Sequence, residues 1–399
     1  MLSPMFRTAV VLGLLSAVGP FTIDMYLPGL PGLAADLNVD EAAAQATISA
    51  YFLAFGLAQL LYGPMADALG RKRPVYLGVT IFLAATIGCA LAPSLPWLVA
   101  FRALQGFGCA ALMVVPRAMV RDMYTGHEAT RLVAMIMLVI SVSPMLAPLS
   151  GALMMGFTGW RGIFWALAGV AGLALLLTIF ALKETLPVER RRKVRPRILA
   201  LSARRLFRDP TFMALTFVSG FGMASFFVFI ASASFVYTQQ YGLTPLQFSL
   251  AFAVNAVGFF GASQFAAPLG RRIGLTRMLR LALMGFAFFA LTLLAITAAG
   301  YATLPVLMGL LLCGNACLGL VIPTSQVMAL DPHGEIAGLA SSMGGTLQML
   351  TGGLMVAVTG PFFNGTALPM VAVIAGCAVM SLSLALLALG RGEKAAQAA

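Results

Sequence analysis

KETLPVERRRKVRPRILALSARRLFRDP, Lys183 to Pro210, is the one long polar stretch of this chain, and it carries ten of the 25 basic residues. The rest is apolar: 60% of the 399 residues are hydrophobic and 10% are charged, against about 25% charged in soluble domains. A helix that crosses a bilayer needs about 20 apolar residues. By that measure about twelve segments qualify, near 8–30, 43–65, 74–93, 96–119, 131–154, 160–182, 211–236, 245–268, 277–299, 303–328, 336–359 and 366–390. The polar stretch divides them six and six. Long unbroken apolar runs lack the alternation that a β-barrel needs. The expected fold class is therefore an all-α membrane protein: a six-helix bundle over 1–183, a cytoplasmic linker over 184–210, and a second six-helix bundle over 211–399.

Lysine and arginine mark the cytoplasmic side of membrane helices. If the spans alternate, 23 of the 25 basic residues fall on one side, Arg102 and Arg161 being the exceptions. Both termini are then cytoplasmic. The formal charge of +12 reads as a topology signal, and nucleic acid is not an expected partner. Arg7 followed by an apolar run resembles a signal peptide, but no small-x-small cleavage site follows, so the run reads as an uncleaved first helix. Within the linker, 184–197 is charged and proline-bearing, which predicts a flexible, solvated connection. Ile198 to Phe207 mixes apolar and basic residues and is compatible with the anionic inner leaflet, though a solvated segment is the preferred reading. Cys89, Cys109, Cys313, Cys317 and Cys377 all fall in spans and read as small packing residues. His127 and His333 lie in loops, so no metal site is expected, and no cofactor.

FTIDMYLPGLP, Phe21 to Pro31, puts a carboxylate in the first span. An acid at the bilayer centre costs about 2.5–3.5 kcal/mol on insertion scales. Asp24 is the only acid clearly inside a span, and Arg102, in FRALQGFGCAA, is the only basic residue clearly inside one. Each lies six residues from the outer end of its helix, about 9 Å deep at 1.5 Å per residue. Two opposite charges at one depth are expected to pair or to share a water-filled cavity. A static ion pair is a poor stabiliser compared with apolar packing, which favours a proton-coupling role. Arg102 stays charged, so Asp24 is the group that would take up and release a proton.

Tyr26 and Gln105 are the candidate hydrogen-bond partners of that pair. Gln45, Tyr51, Asn255 and Gln348 are other embedded polar groups, and Phe227 and Phe259 belong to an aromatic crowd that starts in SGFGMASFFVFIASASFVY, Ser219 to Tyr237. An aromatic cavity with sparse polar groups suits an amphiphilic organic molecule, so these eight residues are the candidate substrate contacts. Pro144 and Pro148 interrupt the fifth span and predict a bend there, with packing as the equal alternative. The halves echo one another: VVPRAM, Val114 to Met119, recurs as VIPTSQ, Val321 to Gln326, and LGRK, Leu69 to Lys72, as LGRR, Leu269 to Arg272. Transporters built from repeats show such duplication.

GPMADALGRKRPV, Gly63 to Val75, resembles the loop between helices two and three of the major facilitator superfamily: Gly63, Asp67, Gly70, Arg71 and Lys72 fit the pattern, and Ala68 replaces its usual arginine. FRALQGFG resembles that family's fourth-helix motif, and APLSGA, Ala147 to Ala152, its antiporter motif with alanine for two glycines. IDMYLPGLP and SSMGGTLQML, Ser341 to Leu350, resemble the first and eleventh helices of Bcr/CflA-type drug:proton antiporters. The resemblance implies two pseudo-symmetric bundles working by alternating access. It implies that Asp67 holds the cytoplasmic side closed with Arg117 or Arg121 and the start of helix eleven, that Arg102 is coupled to proton movement, and that the direction is export. Some multidrug relatives carry a second acid about two turns before Asp24; here that region holds Ser16 and Ala17. One carboxylate predicts neutral or weakly polar cargo, phenicol- or bicyclomycin-like, rather than dications.

The leading expectation is a proton-coupled drug exporter of the bacterial inner membrane, acting as a monomer, whose partners are the drug, protons and lipid. A sugar or metabolite exporter on the same fold is the alternative. A membrane enzyme would need clustered His, Cys or carboxylates on one face; the outer-loop acids Asp36, Asp40 and Glu41 cluster only loosely. Direct ATP use would need a phosphate loop, which is absent, and a channel would need repeated polar rings.

Overall fold

A computed structural model describes residues 4–124, 126–191 and 196–398. Among them there is no strand, and the helices follow the hydropathy of the chain. In the first part they are α1 (Pro4–Asp24), α2 (Leu30–Asp36), α3 (Glu41–Leu69), α4 (Lys72–Leu91), α5 (Leu95–Met123) and α6 (Gly126–Leu176). In the second they are α7 (Pro196–Arg208), α8 (Pro210–Phe235), α9 (Pro245–Gln264), α10 (Ala266–Ile273), α11 (Leu275–Ala298), α12 (Leu304–Leu330), α13 (Ala337–Thr359) and α14 (Ala367–Ala398). Caps set several starts: Asp40 accepts from Ala43 N at 2.7 Å, and Thr244 and Gln247 form a reciprocal capping box on α9.

Ten of the described helices are long and apolar enough to cross a membrane. One of them continues for 51 residues and holds two of the expected spans. Another expected span, α13, has the length but is diluted by Gly, Ser, Thr and Gln. The fifth and sixth spans are separated at Gly159, whose φ of 65° breaks the helix without steric cost because it has no Cβ. The bend expected at Pro144 and Pro148 is not where α6 departs from helical geometry. Both prolines are buried and the helix runs through them.

The chain divides into two compact units, Met1–Pro196 and Arg197–Ala399. In the first, α1 packs on α6, and α3 and α4 pack on α5. In the second, α8 packs on α13, and α9 and α11 pack on α12. The second and third spans of each unit thus lie against its fourth, which is the duplication heard in the sequence. The linker is more ordered than a solvated connection. Residues 192–195 lie outside the described set, but α7 is helical and Leu206 is fully buried in an apolar cluster with Phe212, Leu215 and Leu279. The basic side chains Arg204, Arg205 and Arg208 are exposed. Leu206 is thus turned against its own unit, whereas Leu201 and Phe207 on the same helix are exposed. His333, 7% exposed, reaches Asp209 at 3.1 Å and ties the turn after α12 to the start of α8.

Candidate functional site

The first helix does not continue through FTIDMYLPGLP. α1 ends at Asp24, a 3-10 turn covers Leu27–Gly29, and α2 begins at Leu30. Pro28 and Pro31 account for this, since neither has the N–H that would bond back to the carbonyl four residues earlier, at Asp24 and Leu27. Asp24 therefore stands at the carbonyl end of α1, the end that attracts cations and repels anions. It is 5% exposed. The turn is held from behind by Gly151 of α6. A Cβ on that glycine would collide with the carbonyl oxygen of Met25, closer than the 3.0 Å that real side chains keep. The glycine of the antiporter-like motif is thus what lets α6 approach the backbone beside the acid.

Arg102 is fully buried on α5. The expected pairing with Asp24 is not made: no ion pair joins them among the described residues, and the guanidinium is held by other groups. Its carbon lies 4.6 Å from the centroid of the Tyr26 ring, 4.7 Å from that of Tyr51 and 6.0 Å from that of Phe164. Ring faces attract a cation by about 0.5–1 kcal/mol at exposed sites and about 2 or more when desolvated. The rings thus replace part of what a counter-ion would supply. Nη1 donates to Gln105 Oε1 at 2.5 Å, while Nε and Nη2 are buried without a hydrogen-bond partner among the described residues.

Each group around the cation is itself oriented. Thr47 donates to the Ala44 carbonyl at 2.7 Å. Its single proton is then used, so the Tyr26 hydroxyl, 2.9 Å away, donates to it. In the same way Thr86 donates to the Phe82 carbonyl at 2.6 Å and accepts from Gln105 Nε2 at 2.8 Å, which turns the amide oxygen towards Arg102. Tyr51 lies within electrostatic range of both Arg102 and Asp24. Gln45 is buried one turn before Ser49, whose hydroxyl binds the Gln45 carbonyl at 3.4 Å. Thr47 and Thr86 were invisible in the sequence, because a threonine in an apolar run carries no signal until a neighbouring helix supplies its partner.

The cytoplasmic loop assembles differently from the expectation. Asp67 is not paired with Arg117 or Arg121. Its partner is Arg71, four residues on, at 2.6 Å. Arg71 also forms a two-point contact with Asp122 on α5, through Nε at 2.7 Å and Nη2 at 3.2 Å. Burial works against the Arg71 charge, but the bonds to Asp122 and Asp67 outweigh it and raise its pKa. Glu184 accepts the backbone N–H groups of Arg71 and Lys72 at 2.9 and 3.2 Å, and Lys72 Nζ reaches the Ile179 carbonyl at 2.9 Å. Glu184 is partly buried, which raises a carboxyl pKa, but its bonds from four backbone N–H groups prevail and lower it. Gly70 is required here by its φ of 89° and by the Glu184 carboxylate against it. Gly63 is not: a side chain there would meet nothing within 4 Å. Asp122 and Glu184 were missed because one sits in the last turn of α5 and the other in the irregular stretch beyond Ala181, at the polar border of the spans where a charged residue draws no notice.

Arg71→Lys keeps the charge and loses the fork. The expected cost is about 1.5–3 kcal/mol of stability, read as a lower unfolding temperature of the purified protein. Arg121→Ala is expected to stay within about 0.5 kcal/mol of wild type. Equal effects would return Arg121 to the network.

In the second unit the four candidate contacts are engaged with one another's helices. Asn255, fully buried on α9, accepts from Asn315 of α12 at 3.3 Å. Gln348 donates to the Ser219 carbonyl at 3.4 Å and accepts from Gln326 at 3.3 Å. Phe259 stacks on Phe226 at 4.9 Å, and Phe227 is buried against Gly352. Asn255 and Gln348 thus join helices within this unit. Cys313 is exposed, so it is not the packing residue expected. On the outer side, Arg161 bonds Asp36 and lies over the Trp160 ring at 4.2 Å, and Trp160 Nε1 donates to the same carboxylate at 3.0 Å. That pairing accounts for one exception to the charge rule.

A family model described as the Major Facilitator Superfamily matches residues 12–356. The chain is similar to an uncharacterized MFS-type transporter, YdgK, of Bacillus subtilis (strain 168), with 33% identity over 93% of this chain and 92% of that protein. It is 30% identical to a bicyclomycin resistance protein homolog of Haemophilus influenzae over 94% of each chain. Among solved structures it matches that of a D-xylose-proton symporter with a TM-score of 0.77 at 16% identity, over 97% of each chain. At that identity the likeness is one of fold.

Proposed function

The chain belongs to the major facilitator superfamily, a family of transporters rather than enzymes, and on that premise we propose that it exports small amphiphilic drugs in exchange for protons. The exchange runs by alternating access across the bacterial inner membrane, with both chain termini in the cytoplasm. The observation that carries the reading is Asp24. It is buried at a break in the first span and has no basic partner within ion-pair distance among the described residues. A group so placed gains little structurally from being ionisable. Its use is to change charge.

In the outward-facing state Asp24 takes a proton and the drug leaves. In the inward-facing state it loses the proton and drug binds again. Arg102 keeps its charge throughout, and the Nε–Nη2 edge left without a partner is where a carboxylate would fit bidentately. Tyr26, Tyr51 and Gln105 surround the Arg102 guanidinium; Gln45 in this unit and Phe227, Asn255, Phe259 and Gln348 in the second are the further candidates. The loop of Asp67, Gly70, Arg71 and Lys72 gates the cytoplasmic side. The bicyclomycin resistance homolog supports a drug as cargo. A single membrane acid supports neutral, phenicol- or bicyclomycin-like compounds over dications.

The test uses everted vesicles containing the protein. An acid interior should drive uptake of chloramphenicol, a protonophore should abolish it, and ATP should be unnecessary. Uptake that survives the protonophore would overturn proton coupling.

A further inference from the structure

PRILALSARRLFR, the whole of α7, contains arginines and no acid. Leu206 is buried, but Arg197, Arg204, Arg205 and Arg208 are exposed, and none has an acidic partner among the described residues. On a helix these arginines share one face with Leu201, because they stand four residues before it and three, four and seven after it. Leu201 is 58% exposed, and Phe207, one turn after Arg204, is 54% exposed. A signal that only sets topology needs the charges. It has no need of a leucine in their midst. Cations around exposed apolar side chains are what a helix at a lipid surface presents.

The fold fixes α7 at the level where spans end. Asp209 alone separates it from α8, and the cluster that buries Leu206 includes Phe212, two residues into α8, and Leu279, four residues into α11. Both helices are long and apolar enough to cross a membrane. At 1.5 Å per residue those contacts are about 3 and 6 Å from the helix ends. α7 is therefore at headgroup depth, on the cytoplasmic side under the topology of the export reading. The inner leaflet there is negative, and each arginine close to it adds about fivefold to binding. We propose that α7 is an interfacial helix that binds anionic phospholipid. The guanidiniums of Arg197, Arg204, Arg205 and Arg208 take headgroup phosphates, and Leu201 and Phe207 meet the upper acyl chains. The occupant is the bilayer and not a free anion, since a free anion has no use for the exposed leucine and phenylalanine. The segment that joins the two units is then held to the leaflet by its own charges.

The test puts the full chain, carrying Phe207→Trp, into phosphatidylcholine nanodiscs that contain a fixed share of chain-brominated lipid. The emission of the native tryptophans, measured on the chain without that substitution, is subtracted. Brominated phosphatidylglycerol should quench the added tryptophan at least about threefold more strongly than brominated phosphatidylcholine. Changing Arg197, Arg204, Arg205 and Arg208 together to Gln should remove that preference. Changing them together to Lys should keep most of it, because charge carries the attraction. All four are exposed, so unfolding temperatures close to wild type are expected for both variants. Inorganic phosphate at matched ionic strength should change nothing. A tryptophan that neither lipid quenches would overturn the proposal, since α7 would then be a solvated linker. Equal quenching by the two lipids, a preference untouched by the Gln variant, or one abolished by inorganic phosphate would overturn it too. The readout needs no gradient and no drug, so it stands or falls apart from the export reading.

Discussion

Asp24→Asn should abolish proton-driven drug accumulation in everted vesicles, down to the level of vesicles without the protein, while the variant remains folded and binds drug. The substitution keeps the shape of the side chain and removes only its ability to change charge. Asp24 is 5% exposed, with no cation within ion-pair distance among the described residues. Breaking a buried ion pair would cost about 3–5 kcal/mol, but here there is no pair to break, so no such loss of stability is expected. Downhill exchange of labelled for unlabelled drug should persist, because asparagine mimics the protonated carboxyl and needs no proton to cycle. The measurement is therefore a split: pH-driven uptake lost, drug-for-drug exchange kept. Unchanged proton-driven uptake would remove Asp24 from the coupling role and leave the fold untouched. Loss of both activities together with a large drop in unfolding temperature would mean that the carboxylate is structural.

Gly106→Ala should destabilise the protein and inactivate it, whereas Gly63→Ala should stabilise it. Both glycines are inside helices, where alanine is favoured by about 0.8–1 kcal/mol. What decides the sign is the surroundings. A Cβ at Gly106 would collide with the carbonyl oxygen of Tyr51, closer than 3.0 Å, and this is backbone that cannot rotate away. At Gly63 a Cβ meets nothing within 4 Å. Overpacking costs typically about 1–3 kcal/mol, which exceeds the propensity gain at Gly106 and is absent at Gly63. Function should suffer more than stability. Relief of the clash means parting α3 from α5, and Tyr51 on α3 is one of the rings that hold Arg102. Unfolding temperature and drug efflux of the two variants check this. A Gly106→Ala protein as stable and active as wild type would show that the helix contact is looser than described.

The two glycines also show how far sequence reading reaches. Gly63 was singled out by its place in a motif, and its own position has free space around it. Gly106 belongs to FRALQGFG without marking itself. Asp24 and Arg102 were legible, because charge is scarce in a chain 60% hydrophobic and a scarce charge in lipid demands a reason. Their relation was not. Equal depth along two helices predicted a pair or a shared cavity, but depth leaves rotation about each helix axis undetermined. The helix break at Pro28 and the rings of Tyr26 and Tyr51 settled it otherwise. In the loop, Asp67 and Arg71 were both named, yet the carboxylate that completes the contact, Asp122, is 51 residues away in sequence from Arg71.

What the sequence alone determined is whatever can be read one helix at a time: which segments are long and apolar enough to enter lipid, where the chain divides, and which residues are too costly to sit in a bilayer unused. The physical reason is that hydrophobic burial scales with the local run of apolar surface, and needs no knowledge of neighbours. The tertiary structure decided every partnership: the rings around Arg102, the threonines that orient Tyr26 and Gln105, and the acids that claim Arg71. Hydrogen bonds and cation–ring contacts act over a few ångströms and depend on direction, so they exist only once helices distant in the chain have been brought side by side and turned to face one another.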